Sequence, residues 1–381
     1  MLDGNLAGGK YMRAFERALG RYIGKRRCLM VNSGSSANFL ALATLNALRP
    51  FKRGDEIITT ACGFPTTVAP IVQLGATPVF IDIELGTYVP TADAVLNAVS
   101  KNTQCIILAH TLGNPWPVKE VSDRLVGTNV VIVEDNCDAL GSLHGGQKTG
   151  WYGEFATQSF YPAHHITTGE GGALLMDKPS LAKTARSLRD WGRDCWCEPG
   201  DNDTCGKRFA TPFPNLPDGF DHKYVYSHLG YNLKATDLQA SVGLSQMEMV
   251  DAFGRKRRAN FRRLFDILAD GLADSEYAIL PYASKDSDPS WFGFPITLGR
   301  AARPRARVIE DLQRAGIDTR MLFAGDIRAQ PAMRDVPYLG HAGLHNTVRV
   351  LRDTFWVGVW PGICPEAIQY MGEQIIKAVR P

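Results

Sequence analysis

Four stretches of this chain hold residues whose types and spacing can do chemistry. Ser159-Phe160-Tyr161-Pro162-Ala163-His164-His165 runs on through Ile166-Thr167-Thr168 to Gly169-Glu170-Gly171-Gly172. An imidazole is a good general base near neutral pH, and Tyr161 and His165 stand close enough in sequence to assist His164. Val131-Ile132-Val133-Glu134-Asp135 reads as a buried strand ending in two carboxylates. In an α/β sheet such carboxylates lie at the C-terminal strand ends, where ligands bind, and an Asp there can keep a pyridine nitrogen protonated. An exposed acidic turn is the competing reading. Asn32-Ser33-Gly34-Ser35-Ser36 follows a strand and opens a helix. It suits either a phosphate held by backbone N–H groups or an ordinary helix cap. Finally, Cys195-Trp196-Cys197 is followed by Cys205, and Cys137 stands two residues after Asp135, a C-x57-C-x1-C-x7-C pattern.

The elements that must position these residues follow from hydrophobic periodicity. Short apolar runs predict strands at Cys28–Val31, Glu56–Thr60, Pro78–Ile83, Cys105–Ala109, Val130–Glu134, Thr157–Phe160 and Gly172–Met176. Between them lie helical patterns: Tyr11, Phe15, Leu19 and Tyr22; Phe39, Leu42 and Leu45; and Ala92 to Val99 behind Thr91 as N-cap. Strands alternating with helices predict a three-layer α/β/α arrangement, a mainly parallel sheet covered on both faces. From about Gln246 the pattern changes to a long charged helix, then Pro-containing strand-like residues Ser290–Leu298 and further helices. Residues 1–245 are therefore expected to form a large domain and 246–381 a smaller α/β one. Residues 193–226 are rich in Gly, Pro, Asp, Asn and Cys and lack periodicity, so they are expected to be a functional insertion.

Composition sets limits on partners. The 381 residues are 45% hydrophobic and 21% charged with a formal charge of +3, which implies no polyelectrolyte partner such as nucleic acid. The basic run Arg255, Lys256, Arg257 and Arg258 with Arg262 and Arg263 is expected to be the wet face of a helix. Its dry face would carry Phe261, Leu264, Phe265 and Leu268. No apolar stretch reaches the ~18–20 residues of a membrane span, and residues 1–5 show no signal-peptide pattern. A cytoplasmic location is expected, where the eight cysteines would be buried, ligating or redox-active rather than paired. Cys28, Cys62, Cys105 and Cys364 are read as core residues, and His110, His144, His222, His228, His341 and His345 as structural.

The stretch from Ser159 to Gly172 resembles the sugar aminotransferase family of fold-type I pyridoxal-phosphate enzymes, the DegT/DnrJ/StrS group. That family carries a Ser-Phe, a lysine five residues after the Ser, and a Gly-Glu-Gly-Gly run. The resemblance extends over Gly9-Lys10-Tyr11, Gly54-Asp55-Glu56, Gly75-Ala76-Thr77-Pro78-Val79-Phe80-Ile81-Asp82, and Gly230-Tyr231-Asn232-Leu233-Lys234 through Gln239-Ala240. Because the chain begins close to the first of these motifs, part of a family-type N-terminal arm is expected to be missing. The resemblance implies that Gly34, Ser35 and Ser159 hold the cofactor phosphate, Phe64 stacks on the pyridine ring, and Asp135 pairs with its nitrogen. Asp138 would lie near the 3-hydroxyl, and Asn232 would reach the phosphate of a neighbouring subunit in a homodimer.

The departure is His164, which stands where the family has its lysine. Imidazole cannot form the lasting Schiff base, so pyridoxamine phosphate (PMP) is expected to be held non-covalently with His164 as base. Intact Phe64, Asp135, Ser159 and Asn232 speak against a decayed enzyme. Within the family this change is similar to that of dehydrases acting on nucleotide-linked 4-keto-6-deoxyhexoses, which deoxygenate C3. The pattern at Cys137, Cys195, Cys197 and Cys205 resembles the [2Fe-2S] ligand set of the CDP-4-keto-6-deoxy-D-glucose type. Structural zinc, though it usually shows C-x2–4-C spacing, and a disulfide are the alternative readings of these cysteines. The cluster implies an external electron donor, an NAD(P)H-dependent iron–sulfur flavoprotein reductase or a ferredoxin system. Two rival expectations stand beside it. One is a cluster-free dehydratase of the GDP-4-keto-6-deoxymannose type; the other is a non-catalytic metal-binding regulator on the same fold.

Overall fold

The apolar runs form strands close to where periodicity predicts them, at Arg27–Val31, Glu56–Thr60, Thr77–Ile81, Thr103–Ala109, Val131–Asp135, Phe155–Ser159 and Gly172–Met176. The fold is mixed α/β with a large, mainly parallel sheet. The computed structural model describes residues 6–197, 203–272, 276–341 and 343–381. The N-terminal residues 1–5 and part of the cysteine-rich insertion, 198–202, lie outside the described residues. The chain divides into two compact units, residues 1–51 with 154–248 and residues 52–153 with 249–381.

In the first unit, Gly172–Met176 pairs antiparallel with Arg27–Val31 on one side and with Phe155–Ser159 on the other. The register sets Gly172 opposite both Val31 and Ser159. The ends of both flanking strands are thereby drawn to the same short stretch of backbone. The helix Lys10–Ile23 buries Met12, Phe15, Leu19 and Ile23, the i, i+3, i+4 stripe of an amphipathic helix. Among the described residues no further strand pairs with the outer edge of Arg27–Val31. There Glu16 accepts the Met30 N–H at 2.8 Å, and Arg189 donates to the Met30 carbonyl at 3.0 Å.

In the second unit, Val131–Asp135, Thr103–Ala109, Glu56–Thr60, Thr77–Ile81 and Leu339–Gly340 lie side by side, all parallel. Their continuous apolar burial, as in Ile57, Ile58, Ile106, Ile107 and Leu108, is what a sheet covered on both faces requires. A smaller antiparallel sheet joins Gly293–Leu298 to Thr354–Gly358 and to Ala278–Ile279. The helices Val250–Gly271, Arg305–Arg314 and Pro365–Val379 bury Leu264, Leu268, Leu312 and Ile375 in one core with it.

Two sequence expectations need correction. Arg257 is not on a wet face: it is 1% exposed, while Arg255, Lys256, Arg262 and Arg263 are exposed as expected. Position 257 shares the helical stripe of Phe261, Leu264 and Leu268, and its guanidinium is accommodated by donating to the Phe292 carbonyl at 3.2 Å. Cys364 is not in the core but exposed, because it is the surface residue that precedes Pro365 at the start of the last helix. Cys28, Cys62 and Cys105 are buried, and burial pushes the thiols of Cys28 and Cys62 well up.

Candidate functional site

The Asn32–Ser36 turn is a helix N-terminus. Ser33 caps the helix Gly34–Leu48, its hydroxyl oxygen accepting the Ser36 N–H at 3.0 Å. The first-turn N–H groups of a helix have no partner inside it and suit an anion. Gly172 shows how tightly this turn is held. A Cβ there would come within 2.3 Å of the Ser33 carbonyl and 2.6 Å of the Gly34 nitrogen. Only glycine lets the strand pass beneath the turn, so the Gly171-Gly172 pair brings Ser159, Gly34 and Ser35 to one end of the sheet. That end is closed by the segment carrying Asn232, where the Asn32 N–H donates to the Leu233 carbonyl at 2.9 Å. Asn232 itself is exposed and accepts from Lys234 Nζ at 2.6 Å.

The loop from Phe160 to Gly171 holds the histidines by its own backbone. Phe160 N–H donates to the Gly171 carbonyl at 2.8 Å and Thr168 N–H to the Phe160 carbonyl at 3.0 Å. The His164 N–H donates to the Tyr161 carbonyl at 3.0 Å, a tight turn that keeps the two rings edge to face at 6.5 Å. His164 is half-buried, Tyr161 is exposed and His165 is buried. The expected pair of base and assistant, His164 and Tyr161, is thus brought together, while His165 turns inward.

In the second unit the two strand-end carboxylates part company, and neither is an exposed turn. Glu134 is wholly buried, accepting from Gly153 N–H at 2.6 Å and Gly150 N–H at 2.7 Å, with the His110 ring nitrogen at 3.0 Å. Burial pushes its carboxyl up, but His110 and the two N–H groups together hold it below the ordinary value. Glu134 is therefore structural. Asp135, also buried, accepts from the Thr67 hydroxyl at 2.7 Å and from the Cys137 N–H at 3.3 Å. The two bonds fix the orientation of the Asp135 carboxylate. Asp138 is buried beside it; burial first, then the Asp135 charge, raises its carboxyl to about 7, against a backbone bond from Leu112 and the charge of Arg257. Phe64 precedes the helix Pro65–Gln73, is 48% exposed, and meets the Phe323 ring edge to face at 6.2 Å. Sequence reasoning missed Thr67 and Arg257. Thr67 had a local signal, a hydroxyl in the first turn after Phe64; for Arg257 the spacing from Phe261 and Leu264 signals burial, but its partners lie far away in sequence.

The cysteines fall in both units. Cys195, Cys197 and Cys205 line one small pocket with Asp203, Arg208, His222 and Lys223. Cys197 and Cys205 sulfurs are 3.9 Å apart, and a hydrogen bond with the Thr204 hydroxyl, with smaller help from its neighbours, lowers the Cys197 thiol to about 7. Cys137 belongs to the other unit. Among the described residues no group of three or more His, Cys, Asp or Glu is arranged to hold a metal ion. Nor, among them, is any helix long and apolar enough to cross a membrane.

Comparison with known proteins follows the same lines. The sequence model of the DegT/DnrJ/EryC1/StrS aminotransferase family matches residues 1–376. The dTDP-4-dehydro-2,6-dideoxy-D-glucose 3-dehydratase of Saccharopolyspora spinosa is 49% identical over 386 residues, covering 99% of this chain and 82% of that protein. The lipopolysaccharide biosynthesis protein RfbH of Salmonella typhimurium is 48% identical, over 97% of this chain and 85% of that one. A crystal structure of GDP-4-keto-6-deoxymannose-3-dehydratase with bound GDP-perosamine superposes with a TM-score of 0.87 at 25% identity. It covers 98% of this chain and 95% of that one.

Proposed function

Because the chain belongs to the DegT/DnrJ/EryC1/StrS aminotransferase family, we propose that it is a PMP-dependent 3-dehydratase of nucleotide-linked 4-keto-6-deoxyhexoses. The observation that carries the reading is His164, an imidazole five residues after Ser159 where the family's lysine belongs. The names of the relatives, 3-dehydratases of nucleotide-linked sugars, support the substrate class.

The residues present fit the cofactor. A helix N-terminus underlain by glycine suits its phosphate, the exposed Phe64 side chain suits its flat ring, and the Asp135 carboxyl, held by Thr67, suits its nitrogen. PMP, when bound, supplies an amine that joins the sugar ketone and a ring that takes up an electron pair. Gly34, Ser35 and Ser159 would hold the phosphate, and Asp135, oriented by Thr67, would keep the ring nitrogen protonated. Asp138 would lie near the 3-hydroxyl. His164 would serve as the base toward the carbon bearing the cofactor's amine, and Tyr161 would direct the proton that leaves with the C3 hydroxyl. Asn232 completes the phosphate site of a partner subunit in a homodimer.

The experiment is to supply PMP, a reductant and a CDP-, dTDP- or GDP-4-keto-6-deoxyhexose and follow loss of the C3 hydroxyl by mass spectrometry. His164→Asn is expected to lower turnover about 10²–10⁴-fold while PMP still binds. His164→Lys is expected to form a borohydride-reducible bond to pyridoxal phosphate. Full turnover by His164→Asn would sink the assignment of the base.

A second reading adds a [2Fe-2S] cluster on Cys137, Cys195, Cys197 and Cys205, fed by a ferredoxin or an iron–sulfur flavoprotein reductase. The observation favouring it is the gathering of three of these thiols at one pocket with Cys197 poised to ionise. It is tested by iron, sulfide and zinc analysis of anaerobically purified protein. About two iron and two sulfide per chain support the cluster; a colourless protein that still deoxygenates its substrate supports the cluster-free enzyme.

A further inference from the structure

A cavity of about 810 Å³ opens in the first unit between the helices Lys10–Ile23 and Pro179–Arg189, the strand Arg27–Val31 and residues 193–196. It lies away from the candidate catalytic groups. The strand begins at Arg27, in the cavity wall, and runs about 13 Å to Val31, beyond which stands the Ser33-Gly34 turn. None of Gly34, Ser35, Ser159 and His164 lines the cavity. Positive charge converges on it from three elements. Arg13 and Arg17 stand one turn apart on the first helix, Lys183 and Arg186 on the second, and Arg26 and Arg27 where the strand begins. Like charges at such spacing repel and weaken a helix unless something answers them. The carboxylates nearby are engaged elsewhere. Glu16 accepts the Met30 N–H at 2.8 Å and pairs with Arg189, Asp177 pairs with Lys25 at 3.1 Å, and Asp194 accepts from His222 and Ser227, each at 2.6 Å. Among the described residues Arg13, Arg17 and Arg27 stand in no ion pair, in a chain whose formal charge is only +3.

Trp196 stands at the rim, 43% exposed, its ring edge to face against His222 at 5.8 Å and with Lys183 Nζ 5.6 Å from its centre. A nucleobase has a flat π-face that stacks on such a ring, and arginine forks match phosphate oxygens two at a time. The volume falls within the roughly 300–1,000 Å³ of pockets that enclose small molecules. We propose that this cavity binds a nucleoside diphosphate, with its diphosphate on Arg13, Arg17 and Arg27 and its base on Trp196. This ligand is a second one, apart from whatever the catalytic groups take, and its recognition involves neither them nor the cysteines. A free nucleotide and a nucleotide-linked sugar share the chemistry that the cavity reads.

The test uses the full chain supplied with PMP, and CDP, CDP-glucose and inorganic pyrophosphate as probes. Affinity is measured by calorimetry at about 50 and about 200 mM salt, over which exposed charges become screened. Hydrogen exchange locates the bound ligand. CDP is expected to bind, to slow exchange in residues 10–23 and 179–189, and to lose affinity about tenfold at the higher salt. The double variant Arg13→Ala, Arg17→Ala keeps good helix formers in the first helix and is expected to bind CDP and pyrophosphate at least tenfold more weakly. Trp196→Ala is expected to weaken CDP about tenfold and leave pyrophosphate unchanged. Arg262→Ala, on an exposed position of the other unit, leaves both unchanged. Circular dichroism checks that each variant is folded. Tighter binding of CDP than of CDP-glucose marks a free nucleotide as the occupant, and the reverse a nucleotide-linked sugar; both uphold the site. It is overturned if CDP does not bind, if CDP slows exchange only in residues 32–36 and 159–172, or if the double variant binds it as wild type does. Equal affinity for CDP and pyrophosphate, unaltered in Trp196→Ala, also overturns it, leaving an anion site with no place for a base. None of these results bears on turnover of the 4-keto sugar, which tests the catalytic reading separately.

Discussion

At the scale of single residues, neighbouring carboxylates on one strand end have been given opposite tasks by their partners. Glu134 stays charged in a wholly buried position because His110 and two backbone N–H groups replace water around it. Its folded value lies below its unfolded one, so its stabilisation is present above about pH 4.3 and is lost as pH falls through the lowered value. Glu134→Gln is expected to cost about 3 kcal/mol at neutral pH, by stripping charge from beside His110. The variant should then lose less stability than wild type between about pH 5 and pH 3. Urea denaturation over that range checks it; equal acid sensitivity of the two proteins would contradict the assignment. Which carboxylate is structural was not legible in the sequence, where Glu134 and Asp135 look alike. His110 is 24 residues away and Thr67 is 68, and no local pattern joins them. Candidate base and cysteine motif, by contrast, were visible as residue types at short spacing.

At the scale of elements, strands were readable because each is a short run of mostly buried apolar residues, and some helix starts because hydroxyls cap them, as Thr91 does for Ala94. Arg257 was misread because charge outweighs periodicity when a sequence is scanned, although its spacing from Phe261 and Leu264 places it on the buried stripe. The Gly-Glu-Gly-Gly run was legible as a motif, but its reason is packing. Gly172→Ala must push apart the strand and the Ser33-Gly34 turn, since the added carbon meets backbone rather than a flexible side chain. The variant is expected to lose about 1–3 kcal/mol of stability and to bind PMP about tenfold more weakly. Thermal melts and fluorescence titration with PMP measure the two effects. Unchanged PMP affinity would separate the turn from the phosphate.

At the scale of the whole molecule, the sequence divides the chain near residue 246, and we keep 1–245 and 246–381 as the proposed domains. Contact groups the residues differently, joining 1–51 to 154–248 and 52–153 to 249–381. Such regrouping depends on contacts between residues distant in the chain, which periodicity does not carry. The proposed sharing of Asn232 between subunits has a direct consequence. Mixing His164→Asn with Asn232→Ala chains under subunit exchange should restore about a quarter of wild-type activity, because each hybrid dimer rebuilds one intact site. Turnover that stays at the level of the separate variants would place Asn232 in its own subunit's site.

The paired side chains at Met30 carry a further consequence. The rim of a sheet is a template on which any extended chain can grow, and crowding in a concentrated solution makes that growth a route to fibres. Glu16 takes the donor and Arg189 the acceptor that an incoming strand would need, so the template is already read and closed. The two residues act as a permanent last rung, and the ladder ends with them.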